Sequence, residues 1–204
     1  MSYDPVSLLG MHVEKHKLFY ENGVLDPVVH HRLVENAPEY ARIAGIRVAD
    51  IYEPFSGVCN TNREKEFTSI IARNTSTKIA GMYYTEDMDP PIVDRMRVIT
   101  GTMLRNFEPA RLITQGRLFD LIMDNSELSD FRVICLPDLM HATTSISEGL
   151  RRSVSTMFVD RYIEGLQIVL GKIGPLKKIG ERFGSDVLEI IDLHYIPVGA
   201  ANVG

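Results

Sequence analysis

The chain has 204 residues, of which 45% are hydrophobic and 24% charged, and its formal net charge at pH 7 is −5. This size and balance predict one globular domain with a small N-terminal attachment, and they argue against a chain that binds polyanions over its whole surface. Two distant cysteines, no apolar run of roughly 20 residues and no signal-peptide pattern predict a cytoplasmic protein without a membrane span.

Two helices are predicted before the first strand. Residues 11–22 and residues 28–40 both have apolar residues at helical spacing, and Asp26-Pro27 suits the start of the second helix. We therefore expect residues 1–42 to form a helical N-terminal segment, followed by an α/β domain over residues 43–204.

Strands and helices alternate through the rest of the chain. Such alternation predicts a parallel sheet with helices on both faces. Residues 110–124 hold a short strand or, from residue 115, an amphipathic helix. The other predicted strands are 46–52, 78–84, 131–136, 166–170 and one within 188–198, and the other predicted helices are 65–73, 91–103, 147–164 and 175–183.

The stretch 131–139 is an apolar run that ends abruptly at Asp138. A run of this kind predicts a strand buried on both faces, and ligands of open α/β sheets bind outside the carboxyl ends of the strands. Asp138 is therefore the candidate catalytic residue and magnesium ligand. A magnesium-nucleotide site normally has two acidic residues here, and only Asp138 is present, so we expect weak or no hydrolysis. The alternative is that Asp138 caps the next turn.

A candidate phosphate loop follows the predicted strand at 46–52. Laid over the pattern GxxxxGK[ST], Gly57 matches, whereas Asn62, Arg63 and Glu64 stand at the next three key positions. Asn tolerates a left-handed backbone and Arg keeps the positive charge, but Glu places an anion where a metal-binding hydroxyl belongs. An ordinary loop between strand and helix is the alternative. The candidate cofactor-binding residues are Gly57, Asn60, Thr61, Asn62 and Arg63.

The order of these features resembles the AAA+ core of bacterial replicative helicase loaders and of the transposition helper ATPases related to them. The resemblance spans residues 46–198 and is clearest at 118–122, 134–138, 157–169 and 175–184. It implies a P-loop NTPase-like fold, ATP or ADP with magnesium as cofactor, and a homo-oligomer. It also implies a protein partner, either a replicative helicase or another nucleoprotein component, and DNA as a further partner.

The chain departs from the family pattern at several functional positions. The phosphate loop lacks its second Gly, its Lys and its Ser/Thr, and Gly171-Lys172 stands where the family usually has Asn, Ser or Thr. The arginine expected after the last helix is missing between Ser185 and Ile191, and Arg182 is its nearest substitute. These departures indicate a scaffold that has lost turnover.

The C-terminal third has its own basic residues, which are candidates for binding nucleic acid or a partner. The alternative is a set of solvated helix faces paired with neighbouring acids. Aromatic residues are not interleaved with these cations, so a platform that stacks bases is not predicted. The residues are Arg151, Arg152, Lys177, Lys178 and Arg182.

Three interpretations follow. The first is a helicase-loader-like AAA+ protein with a degenerate nucleotide site. The second is a non-catalytic pseudo-ATPase that binds no cofactor and serves as an assembly module of a nucleoprotein complex. The third is a doubly wound small-molecule enzyme that uses Asp138 and His141, although neither GxGxxG nor GxSxG occurs in the chain.

Overall fold

The computed structural model describes residues 26–73, 78–124, 128–139 and 146–199, so the helix predicted at 11–22 and the residue His141 lie outside the described part. The helices are α1 Pro27–Ala44, α2 Val48–Tyr52, α3 Phe55–Val58, α4 Asn62–Arg73, α5 Ile92–Arg105, α6 Gln115–Met123, α7 Glu148–Ile163, α8 Leu176–Phe183 and α9 Ser185–His194. The strands are β1 Gly81–Tyr84, β2 Ala110–Leu112, β3 Val133–Leu136, β4 Gln167–Lys172 and β5 Tyr195–Val198.

The five strands form one sheet in the order β2-β3-β4-β1-β5, and every neighbouring pair is parallel. Ile168 of β4 lies opposite Gly81 of β1 on one side and Ile134 of β3 on the other. A side chain at Gly81 would meet the carbonyl oxygen of Ile168, so only glycine allows this close approach. The predicted parallel sheet is confirmed.

Successive residues of a strand point to opposite faces of the sheet. Each face packs against a different set of helices. On one face Met82, Val133 and Val169 pack with the buried side chains of α4 and α5. On the other face Ile134 and Ile168 pack with buried residues of α6, α7, α8 and α9. The expected helices on both faces are therefore present.

Helix α1 packs against the end of α5. Asp26 caps its first turn, and its buried residues, including Leu33 and Tyr40, contact Leu104 and Phe107. The helix runs through residue 42, where the sequence suggested a division of the chain.

The strand predicted at 46–52 is wrong. Residues 48–52 form helix α2, although their alternation of apolar and polar residues fits a strand. The carboxylate of Asp50 accepts the backbone N–H of Arg47 at 2.8 Å and also binds the Arg47 guanidinium. This local pairing caps a short helical turn, which outweighs a weak strand pattern.

Candidate functional site

The crevice of the sheet lies between the carboxyl ends of β1 and β4. These two strands are neighbours, but the chain leaves β1 through α5 on one face and leaves β4 through α8 on the other. Ligands of open α/β sheets bind where neighbouring connections diverge in this way. The candidate site is therefore formed by residues 85–91, which follow β1, and by the end of β4.

The loop at residues 85–91 is acidic. It contains Glu86, Asp87 and Asp89, and it has neither a glycine nor a lysine. Across the crevice, Lys172 of β4 forms an ion pair with Asp87 at 2.5 Å, with side chains 34% and 86% exposed. The cation that β4 presents at the crevice is thus paired with a carboxylate of the same chain.

A buried ion pair fills the space beneath this loop. Arg95 and Glu64 are 1% and 0% exposed, and Nη1 of Arg95 donates to both Glu64 oxygens at 2.9 Å. Arg95 also donates to the carbonyl oxygens of Pro90 at 2.9 Å and Asp89 at 2.7 Å. The Tyr84 hydroxyl donates to Glu64 at 2.9 Å. Because these bonds join α4, β1, the loop and α5, they hold the loop in place.

Glu64 also belongs to a capping box at the start of α4. The backbone N–H of Thr61 and its hydroxyl donate to Glu64 at 3.0 and 2.8 Å, and the Glu64 N–H donates to the Thr61 hydroxyl at 3.2 Å. The sequence signal is T-x-x-E, a helix-start motif that sequence analysis missed by aligning the same residues with a phosphate loop.

The candidate phosphate-loop residues therefore do not follow a strand. Gly57 lies within α3, and Asn62 is the first residue of α4. Asn60 accepts a bond from Arg95 at 3.3 Å, and the exposed Arg63 pairs with Glu66 at 2.9 Å. Thr61 serves the capping box. Nucleotide binding by these residues stays a prediction, but the strand on which it rested is a helix.

Asp138 lies just beyond β3, at the carboxyl edge of the sheet, as the sequence predicts. Its Oδ1 accepts the backbone N–H of Gln115, the first residue of α6, at 2.7 Å, and the N-cap Thr114 makes no side-chain cap bond. Asp138 thus caps a helix that lies 23 residues earlier in the chain. Within residues 26–73, 78–124, 128–139 and 146–199, no group of three or more His, Cys, Asp or Glu could hold a metal ion. A catalytic or metal-binding role for Asp138 stays a prediction.

The two cysteines are buried in the core on the α5 face. Both are free thiols, and burial raises the pKa of Cys59 and raises that of Cys135 to about 12. A thiol with so high a pKa is protonated at neutral pH and is a poor nucleophile. The cysteines therefore add nothing to the small-molecule enzyme interpretation.

The predicted basic residues lie on two neighbouring helices of the other face. Ser155 of α7 donates a hydrogen bond to the carbonyl oxygen of Phe183 at the end of α8, which joins the helices. Arg182 differs from the rest because it is half-buried over the Phe183 ring. We call the four exposed residues the α7–α8 basic surface: Arg151, Arg152, Lys177 and Lys178.

The acids near this surface are weakly engaged. Glu148 lies 3.6 Å from Arg152, and Glu181 lies 4.0 Å from Lys177. These pairs are solvent-exposed, and exposed pairs contribute little and are screened by salt. The surface therefore has positive charge available to an external anion.

Comparison with protein-family models and with curated protein sequences finds no match to this chain. Among the helices that the structure describes, none has both the length and the apolar character to cross a membrane.

Proposed function

We propose that this chain is a non-catalytic assembly module of a nucleoprotein complex, built on an AAA+-like sheet, which binds nucleic-acid phosphates and a protein partner. The observation that carries the proposal is the Glu64–Arg95 pair beneath the acidic loop at residues 85–91. The two buried free thiols favour a location in the cytoplasm, which is a reducing compartment. Self-association belongs to the same proposal.

The chemistry of the crevice is unfavourable for a nucleotide. A phosphate loop cradles phosphates with backbone N–H groups of glycines and with a lysine. Here three carboxylates stand in the loop, and the nearby cations Arg95 and Lys172 are paired with Glu64 and Asp87. An incoming polyphosphate would meet like charge before it met a free cation. Loss of nucleotide binding therefore fits this arrangement better than altered binding.

The α7–α8 basic surface supports the nucleic-acid part of the proposal. The surface carries four exposed cations on a chain whose net charge is −5. Each phosphate that a protein cation neutralises releases a counterion, which lowers affinity as salt rises. We expect a short single-stranded DNA to bind here through its backbone.

The first experiment is calorimetry of the full chain with magnesium-ATP and with magnesium-ADP, with oligomeric state followed in the same samples. We expect no binding up to millimolar nucleotide, because Arg95 and Lys172, the cations that the structure describes at the crevice, are both paired with carboxylates. Micromolar binding, about −8 kcal/mol, would overturn the non-catalytic proposal and favour an ATP-dependent loader.

The second experiment measures fluorescence anisotropy of a labelled 20-nucleotide DNA. R151E/R152E and K177E/K178E should each weaken binding at least tenfold and lower the slope of log affinity against log salt by about 1 to 2. The matched control is R63E/K65E on α4, which changes two exposed cations outside the basic surface. Equal losses in all three variants would show a non-specific charge effect and contradict the assignment.

A further inference from the structure

A groove runs along α7 on the face that carries the basic surface. Its volume is about 500 Å³, and it lies between α7, the end of α6 and residues 128–129. Its wall includes Arg152, Thr156 and Asp160 of α7 and the C-cap residue Glu164, which recur every four residues. At 1.5 Å per residue this stripe is about 18 Å long, the length of three helical turns.

The groove has opposite charges at its two ends. Arg152 lies at one end, and Asp160 and Glu164 lie toward the other. Both acids are exposed, and neither forms a salt bridge within the part of the chain that the structure describes. A partner that lies along the groove can therefore place an acid at one end and a base at the other.

Apolar side chains lie between and beside these charges. Leu128 and Met157 line the groove, together with Ile122. Met123 and Ile163, which follow Ile122 and precede Glu164, are 72% and 74% exposed. A groove lined by apolar side chains, with exposed apolar residues next to its lining residues in the sequence, is typical of a surface that binds another apolar surface.

The floor of the groove is held rigidly by Arg161. Its guanidinium donates to the carbonyl oxygens of Leu128 at 2.7 Å, Phe131 at 2.8 Å, Arg132 at 3.1 Å and Gln167 at 2.9 Å. These bonds fix α7 to the amino ends of β3 and β4. A groove that is already formed loses little conformational entropy when a partner binds.

We infer that this groove is the docking site for one amphipathic helix of a protein partner, about three turns long, acidic at one end and basic at the other. An apolar stripe on that helix covers Ile122, Leu128 and Met157, which is the usual mode of helix-in-groove recognition. The inference rests on the proposed function, because it names the surface by which the module holds its protein partner.

The probe is a synthetic, fluorescein-labelled, alanine-based helix of 14 residues. It carries two Glu in the first turn, two Lys in the last and Leu at helical spacing between them, and a scrambled peptide of the same composition is the control. With the full chain, the patterned peptide should bind at least tenfold tighter than the scrambled one.

Two variants test the site. D160K/E164K should weaken the patterned peptide at least tenfold and strengthen a peptide that has Glu at both ends. Its matched control, E189K/D192K, changes two exposed acids on α9, outside the groove, and should leave both affinities unchanged. T156W fills the groove without a change of charge, so it should block the peptide and leave DNA affinity unchanged. All substituted positions are exposed, and circular dichroism checks folding.

Failure of the inference is distinguishable from failure of the proposed function. No binding at 1 mM peptide, equal binding of patterned and scrambled peptides, or equal losses in the α9 control would each overturn the groove as a docking site. None of these results affects the nucleotide calorimetry, which tests the proposed function by itself. Nucleotide binding, in turn, would overturn the proposed function whether or not the peptide binds.

Discussion

Two buried arginines lie at opposite ends of the parallel strands, one at the carboxyl ends and one at the amino ends, and their surroundings differ. Arg95, at the carboxyl edge, is neutralised by the carboxylate of Glu64. Arg161, at the amino edge, has its guanidinium surrounded by four backbone carbonyl oxygens, and burial lowers its pKa to about 10. One charge is buried with a counterion and the other with dipoles.

The difference separates a filled crevice from an open groove. The Glu64–Arg95 pair lies beneath the loop after β1, and the positive charge of Arg95 is already paired with a carboxylate. Arg161 binds carbonyl oxygens at the amino ends of β3 and β4, and a groove remains along the neighbouring face of α7 among the residues that the structure describes. We therefore expect the usual ligand position of this sheet to be closed to phosphates, and we expect binding on the helices of one face.

The largest expected effect comes from breaking the Glu64–Arg95 pair. Glu64→Ala leaves the Arg95 guanidinium buried without a carboxylate, which should lower the free energy of unfolding by about 3–5 kcal/mol. Urea unfolding followed by circular dichroism measures the loss. The double variant E64L/R95M should lose less than either single variant, because it removes both charges together. Additive losses would show that the two groups are not coupled.

Arg161→Met should have a smaller effect, about 2–3 kcal/mol. The carbonyl oxygens of Leu128, Phe131 and Gln167 lose their donor, but water from the adjoining groove can replace part of it. The same urea titration compares this variant with Glu64→Ala. A larger loss for Arg161→Met would mean that carbonyl dipoles, not the ion pair, give the stronger anchor.

The sequence predicts most of this fold but not the contents of its crevice. The strands at 81–84, 133–136 and 167–172 follow from short apolar runs, which are strong local signals. The order of strands in a sheet depends on pairing between residues that are far apart in the sequence. For this reason no sequence pattern showed that residues 85–91 follow the strand beside the crevice. The partners Glu64 and Arg95 are likewise 31 residues apart.

For Asp138 the sequence predicts the position of the residue but not its hydrogen-bond partner. Its position at the end of a buried strand was predictable, because the apolar run ends there. Its partner was not, since the backbone N–H of Gln115 lies 23 residues earlier and becomes close only when β2 pairs with β3. The basic residues were recognisable from composition, but the groove beside them depends on how α6 and α7 pack.

Asp138→Ala should cost about 1 kcal/mol, the usual contribution of a helix cap. Asp138→Asn should cost less, because the amide oxygen can still accept the Gln115 N–H. Thermal unfolding of both variants measures the difference. If the carboxylate instead holds magnesium, the Asn variant should resemble the Ala variant, and magnesium should raise the melting temperature of the natural chain alone.

The smallest expected effect concerns the ion pair that crosses the crevice. Lys172→Met removes the contact with Asp87, whose side chain is 86% exposed, so the free energy of unfolding should fall by no more than about 1 kcal/mol. Because exposed pairs are screened, 1 M salt should abolish the difference between the variant and the natural chain. The matched control is Lys178→Met, which removes an exposed cation of the basic surface.

The same pair of variants bears on what the crevice binds. If the crevice is closed, Lys172→Met leaves nucleotide calorimetry flat and DNA affinity unchanged, whereas Lys178→Met weakens DNA severalfold. If Lys172 instead leaves Asp87 to meet an incoming phosphate, its removal lowers an affinity that the natural chain displays. The comparison of the two variants thus distinguishes a crevice that is closed to phosphates from one that opens when Lys172 leaves Asp87. Only in the second case does Lys172 bind a ligand.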